Sequence, residues 1–172
     1  EKFRLVYFGF TYCPDICPTE LTKMGLVLDG LEKSGDIDKL VPMMISVDPW
    51  RDTVGQIRSY VGQFHPRLIG LTGTPEQVMS ACKSYRIYAS KPPDSDDDDY
   101  LVDHSVFMFL MDPEGFYVDH YGPDKDDEQI LEQIKYHIRK YEAQFEKVSP
   151  LTKLWRKWTD PQPSSQINDE YL

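Results

Sequence analysis

The chain reads as an α/β fold with a mixed central sheet flanked by helices, and three observations predict it. Short apolar runs at residues 5–8, 41–47 and 68–72 alternate with stretches whose apolar residues recur at helical spacing. Strands that alternate with helices pair in parallel, with the helices covering the sheet. Later, an apolar run ending at Met111 is followed by Asp-Pro-Glu-Gly115 and a second run ending at Tyr121. That pattern is an antiparallel hairpin with Gly115 in the left-handed turn position, and it makes the sheet mixed.

Taken in order, residues 5–8 (Leu-Val-Tyr-Phe) read as a buried strand. Leu21, Met24, Val27, Leu28 and Leu31 then mark a helix over residues 18–33, stopped where Gly35 supplies a left-handed turn. The next apolar run is the second strand, closed by Ser46-Val-Asp-Pro-Trp-Arg-Asp-Thr53. Asp52 or Thr53 is a suitable N-cap for the helix that follows. Its expected apolar face is Val54, Ile57, Tyr60, Val61 and Phe64, and His65 stands at its end as a structural histidine.

After a third strand, Thr74-Pro-Glu-Gln77 is a capping box with Pro at the first helical position. Val78, Ala81, Cys82 and Tyr85 share one face, where Cys82 is a small core hydrophobe. Residues 86–90 read as a strand and residues 91–99 as an acidic loop, because prolines and like charges oppose regular structure. The run 100–111, introduced by Asp103-His104, forms the first arm of the hairpin, and His120 in its second arm is structural. The last helix spans residues 124–147, acidic at its start and basic toward its end, with Ile130, Ile134, Ile138, Tyr141 and Phe145 as its buried stripe. His137 flanks that stripe as a packing residue.

At 172 residues and 40% hydrophobic content, one domain with one core is expected, over residues 1–148. The chain enters a core strand almost at once, which suggests that a targeting segment, an anchor and an opening hairpin precede it. Residues 149–172 form a C-terminal extension carrying a short basic, aromatic patch with Trp155 and Trp158. A net charge of −10 argues against nucleic acid as a partner. Three cysteines make no disulfide framework, and no apolar run reaches the roughly 18 residues of a membrane span.

The chemistry concentrates in Phe8-Gly-Phe-Thr-Tyr-Cys-Pro-Asp-Ile-Cys-Pro18, where Cys13 and Cys17 occupy a strand-to-helix turn. Unpaired N–H groups and the positive end of the helix dipole both favour thiolates there. Residues i and i+4 of a helical turn lie about 6 Å apart, which suits a disulfide or two sulfurs on one metal ion. The plainer reading is a structural disulfide or two core cysteines. Soft thiolates select copper(I) or zinc over hard cations, and chemistry alone does not separate those two.

The stretch from Gly9 to Pro18 resembles the signature of the Sco/SenC copper-chaperone family, whose fold is thioredoxin-like; the family usually has His at the position of Tyr12. Ser-Val-Asp-Pro-x-Arg-Asp-Thr and Asp-His-Ser, each before or after an apolar strand, also resemble that family. The likeness covers roughly residues 5–145 and implies a thioredoxin-like domain that binds copper, as Cu+ or Cu2+, through Cys13, Cys17 and His104. Asp103 would orient the imidazole.

It further implies a metallochaperone that helps assemble the binuclear copper centre of cytochrome c oxidase subunit II, receiving its metal from a copper-donor chaperone. Such a protein is expected at the mitochondrial inner membrane, on the intermembrane-space side, with the bacterial periplasmic face as the lesser alternative. Contact with the membrane would run only through a segment absent from this chain. Two other functions stay open. One is a thiol–disulfide oxidoreductase using Cys13 and Cys17 as a redox pair on the target's cysteines. The other is a resident subunit of a larger respiratory assembly.

Overall fold

The computed structural model describes residues 2–87, 89–90, 103–104 and 106–146, with only the backbone described at 89–90, 103–104 and 145–146. The acidic loop at 91–99 and the extension at 149–172 lie outside the described residues. The chain divides into two compact units, Glu1–His137 and Ile138–Leu172.

The first unit holds a five-stranded mixed sheet whose strands, in spatial order, are Ile69–Leu71 (β3), Leu40–Ser46 (β2), Phe3–Gly9 (β1), Met108–Met111 (β6) and Tyr117–Tyr121 (β7). Strand β1 (Phe3–Gly9) is its middle, pairing in parallel with β2 (Leu40–Ser46) from Phe3↔Leu40 to Gly9↔Ser46. On its other side β1 runs antiparallel to β6 (Met108–Met111), from Arg4↔Met111 to Tyr7↔Met108. The edges are β3 (Ile69–Leu71), parallel to β2, and β7 (Tyr117–Tyr121), antiparallel to β6. Gly115, at φ 91°, makes the turn between β6 and β7.

Helix α1 (Ile16–Ser34) buries Leu21, Met24, Val27, Leu28 and Leu31, the apolar stripe expected for it, together with Cys17, and ends on Gly35 at φ 77°. Helix α2 (Val54–Val61) buries Ile57 and Val61. Val54, assigned to the same face, is instead 63% exposed. It is the first residue after the cap, three residues before Ile57, and there it faces outward. Helix α3 (Pro75–Ser84) starts at the expected capping box and buries Val78 and Cys82. Helix α4 (Asp127–Glu146) begins three residues later than expected, after a reciprocal pair in which the Gln129 N–H donates to Asp126 Oδ1 and the Asp126 N–H to Gln129 Oε1.

Asp103 and His104 do not run on into the hairpin strand. They form a separate two-residue strand, β5, antiparallel to β4 (Ala89–Ser90), with His104 opposite Ala89. The central-sheet strand starts only at Met108.

Candidate functional site

Parallel pairing brings the C-terminal ends of β1 and β2 to one end of the sheet. There β1 leads through Phe10, Thr11 and Tyr12 into Cys13, whose N–H donates to the Phe10 carbonyl at 3.3 Å. Asp15 is the N-cap of α1, at φ −140° and ψ −68°, and its side chain caps nothing. The N–H of Cys17 donates instead to the Cys13 sulfur at 3.4 Å. An orphan donor of the helix start is thus spent on a sulfur.

The two sulfurs differ in depth. Cys13 is 8% exposed and Cys17 is 0% exposed, and neither is in a disulfide. The Tyr7 hydroxyl, rising from the middle of β1, donates to Cys17 Sγ at 3.4 Å. Gly9 leaves the room for this: a Cβ there would lie 2.8 Å from Cys17 Sγ and 2.8 Å from the Tyr7 ring. Burial pushes the Cys17 thiol up to about 12, against the lowering effects of the Tyr7 hydroxyl and the Phe10 backbone. A helix start alone predicts a thiolate; at Cys17 desolvation outweighs it. Tyr7 is itself raised far above the usual phenol range, by burial first and by the neighbouring Cys17 second. Tyr60, buried at its hydroxyl, is raised by burial and by both cysteines.

The junction after β2 supplies the other wall. Thr53, not Asp52, is the cap of α2: its hydroxyl accepts from the Gln56 N–H, and the Gln56 side chain returns to the Thr53 N–H. Asp52 turns back into the protein. Its carboxylate accepts from the Thr11 N–H at 3.2 Å to each oxygen, from the Thr11 hydroxyl at 2.6 Å and from the Ser46 hydroxyl at 2.6 Å. Burial raises its pKa despite these donors. Beside it, buried Asp48 pairs with Arg51 at 2.6 Å. The Arg51 guanidinium stacks over the Tyr12 ring at 4.7 Å, and Gln56 donates to the Tyr12 hydroxyl at 2.8 Å.

Of the three residues assigned to the metal, Cys13 and Cys17 stand together at the start of α1. His104 is described only as backbone in β5, so its side chain lies outside the described residues. Glu20 went unnoticed in the sequence although it falls within the Cys17–Leu21–Met24 stripe. It is buried one turn beyond Cys17, with Oε1 on Lys23 at 2.9 Å and Oε2 without a hydrogen-bond partner among the described residues. Helical periodicity was the signal that could have found it.

The remaining histidines each meet protein groups. The Tyr117 hydroxyl meets His120 Nδ1 at 2.6 Å, and His137 Nε2 meets Asp119 Oδ2 at 3.2 Å. His65 is buried, with Nε2 3.6 Å from Asp29 and 4.0 Å from Glu32. That trio has the donors of a cation site, but His65 Nδ1 accepts the Arg67 N–H at 3.1 Å. The proton therefore sits on Nε2, the atom a metal would need. A groove of about 770 Å³, lined by Tyr85, Phe107, Phe109, Met111 and Tyr117 among others, includes neither cysteine.

Residues 1–139 match the family model described as SCO1/SenC. The chain is 49% identical over 142 residues to the mouse protein SCO2 homolog, mitochondrial, covering 83% of this chain and 56% of that protein. It is 48% identical over 141 residues to the yeast protein SCO1, mitochondrial, covering 81% of this chain and 48% of that one. The chain thus spans about half the length of these relatives. Among solved structures, Arabidopsis thaliana ScoI with copper bound superposes with a TM-score of 0.75 at 48% identity, over 81% of this chain and 86% of that one. Yeast Sco1 with copper bound gives 0.74 at 40% identity, over 96% and 87%. The mixed sheet with its flanking helices is the thioredoxin-like arrangement of these neighbours.

Proposed function

Because the chain belongs to the SCO1/SenC family, we propose that it is a copper metallochaperone whose metal is held by Cys13, Cys17 and His104. Its task on this reading is to help assemble the binuclear copper centre of cytochrome c oxidase subunit II, with copper supplied by a donor chaperone. The observation that carries the reading is the start of α1, where the Cys13 sulfur, beside that of Cys17, takes the place of a capping side chain. Two soft sulfur donors on one helical turn fit Cu+ and disfavour hard cations. A neutral imidazole from His104 completes a set of the kind copper accepts. Copper is cargo here: an incoming thiolate of the recipient exchanges for the chain's own ligands, starting at Cys13, the more accessible sulfur. The copper-bound plant and yeast relatives support the assignment.

On this reading the chain works at the inner membrane, facing the intermembrane space; the relatives named as mitochondrial support the organelle. No helix among the described residues is long and apolar enough to cross a membrane, so anchoring on this reading needs a segment outside them.

The pairing of a more exposed Cys13 with a buried Cys17 also favours a second reading, a thiol–disulfide oxidoreductase acting on the recipient's cysteines. In that reaction the dithiol becomes a disulfide and the recipient's disulfide becomes two thiols. Two variants separate the readings. His104→Ala removes one ligand and leaves both thiols, so copper per chain and oxidase assembly should fall while reduction of a subunit II fragment persists. Cys17→Ser should abolish both activities. Normal oxidase assembly with His104→Ala would overturn copper delivery and leave the reductase.

A further inference from the structure

We infer that Asp52 is a positioning residue for the cysteine pair, its buried carboxylate tying the loop that carries Cys13 to the junction between β2 and α2. The sequence motif around it looks like a strand exit followed by a helix cap. Thr53 does the capping alone, however, and Asp52 is 2% exposed and points the other way. Placing a carboxylate there is costly unless donors surround it. The donors it has come from Thr11, two residues before Cys13, and from Ser46 at the end of β2. Ser46 is fixed in turn, since its hydroxyl also accepts the Asp48 N–H at 3.0 Å.

A parallel strap runs through the next residue. Tyr12 lies under Arg51 and against Gln56, and Arg51 is held by buried Asp48. Cap side chains normally pin a helix entry, and α1 has none. Its entry is pinned from the neighbouring loop instead, through Thr11 and Tyr12. The consequence is a fixed position for Cys13 beside Cys17, hence a high effective concentration of one thiol at the other.

The inference rests on the reading of Cys13 and Cys17 as the working pair, and its test does not pass through copper. The full chain is equilibrated with reduced and oxidised glutathione. The Cys13–Cys17 disulfide, formed as oxidised glutathione becomes two thiols, is quantified by alkylation and mass spectrometry. Asp52→Asn should lower the equilibrium constant for disulfide formation about tenfold, ~30 mV for this two-electron couple. Thr11→Val, which removes only the hydroxyl, should lower it about threefold, and Thr11→Ser should restore it. The double variant should fall short of the two combined, because both break one strap.

Thr74→Ala, which removes the α3 cap, is the control for destabilisation: it should lower stability and leave the thiol equilibrium at the parent value. Should Asp52→Asn not fold, Thr11→Val and Thr11→Ser decide. If the Asp52 and Thr11 variants lose stability as Thr74→Ala does but keep the parental equilibrium, the positioning role is wrong. Copper per chain, measured on the same samples, separates the two claims. A parent that binds no copper, with variants that still shift the disulfide, overturns the chaperone and keeps the strap.

Discussion

The starts of α1 and α2 are adjacent strand-to-helix junctions of similar origin, each following one of two parallel strands at the same end of the sheet. They are finished in opposite ways. At α2 the Thr53–Gln56 box satisfies the helix from within its own sequence. At α1 the cap position, Asp15, makes no side-chain capping bond, and a sulfur takes the Cys17 N–H. Helices α3 and α4 are closed by reciprocal boxes as well. The difference teaches that the open end is where reactive groups stand, and that the closed neighbour supplies the rigidity the open one lacks.

The two junctions should respond differently to alkali, and this is the largest expected effect. The Cys17 thiol is raised from 9.0 to about 12 in the folded chain. Below pH 9 both states hold the proton and stability is unaffected. Between roughly pH 9 and 12 the unfolded chain loses it first, so stability falls across that window. Urea midpoints at pH 8 and pH 10.5 should drop further for the parent than for Cys17→Ala. Equal drops would mean that Cys17 is not desolvated as described.

A glycine-to-alanine change should reverse sign between the junctions. At Gly9 the new Cβ meets the Cys17 sulfur and the Tyr7 ring, both fully buried, and the expected loss is about 1–3 kcal/mol. At Gly55, in the first turn of α2, a Cβ meets nothing within 4 Å. There alanine should stabilise by about 0.5–1 kcal/mol, through its better helix propensity. Thermal melts of the two variants decide it, and a loss at both positions would erase the contrast.

The smallest effect concerns the caps themselves. Thr53→Ala should cost about 1 kcal/mol, whereas Asp15→Ala should stay within about 0.5 kcal/mol of the parent. A loss at Asp15 matching that at Thr53 would show that α1 is capped in solution after all.

Much of this was legible from residue order. The α1 stripe, the Gly35 stop, the Thr74 box and the Gly115 turn depend on neighbours within a few positions, which pattern reading captures. What escaped it depends on residues far apart in sequence. Asp52 looked like a cap because a cap is local, but its donors, Thr11 and Ser46, come from two other segments. Cys17 looked like a thiolate because a helix start is local, whereas its depth is set by Tyr7 and Gly9 beneath it. Val54 matched the helical period, yet at the first turn it faces solvent. Asp103 and His104 read as the beginning of an apolar strand; pairing with Ala89 and Ser90 detaches them from it.

Strand β1 lies in the middle of the sheet, hydrogen-bonded on both sides, and the residues from Leu5 to Phe8 are wholly buried. Its amides can exchange with solvent only when the sheet itself comes apart, unlike those of the edge strands, which fraying releases. The polypeptide leading to the cysteines is therefore among the slowest-exchanging in the molecule. On that side, breathing of the sheet edges does not disturb the pair. On the loop side the pair depends on the contacts of Thr11 and Tyr12 instead, so the Thr11 amide, bonded to Asp52, should exchange by release of that contact rather than by opening of the sheet.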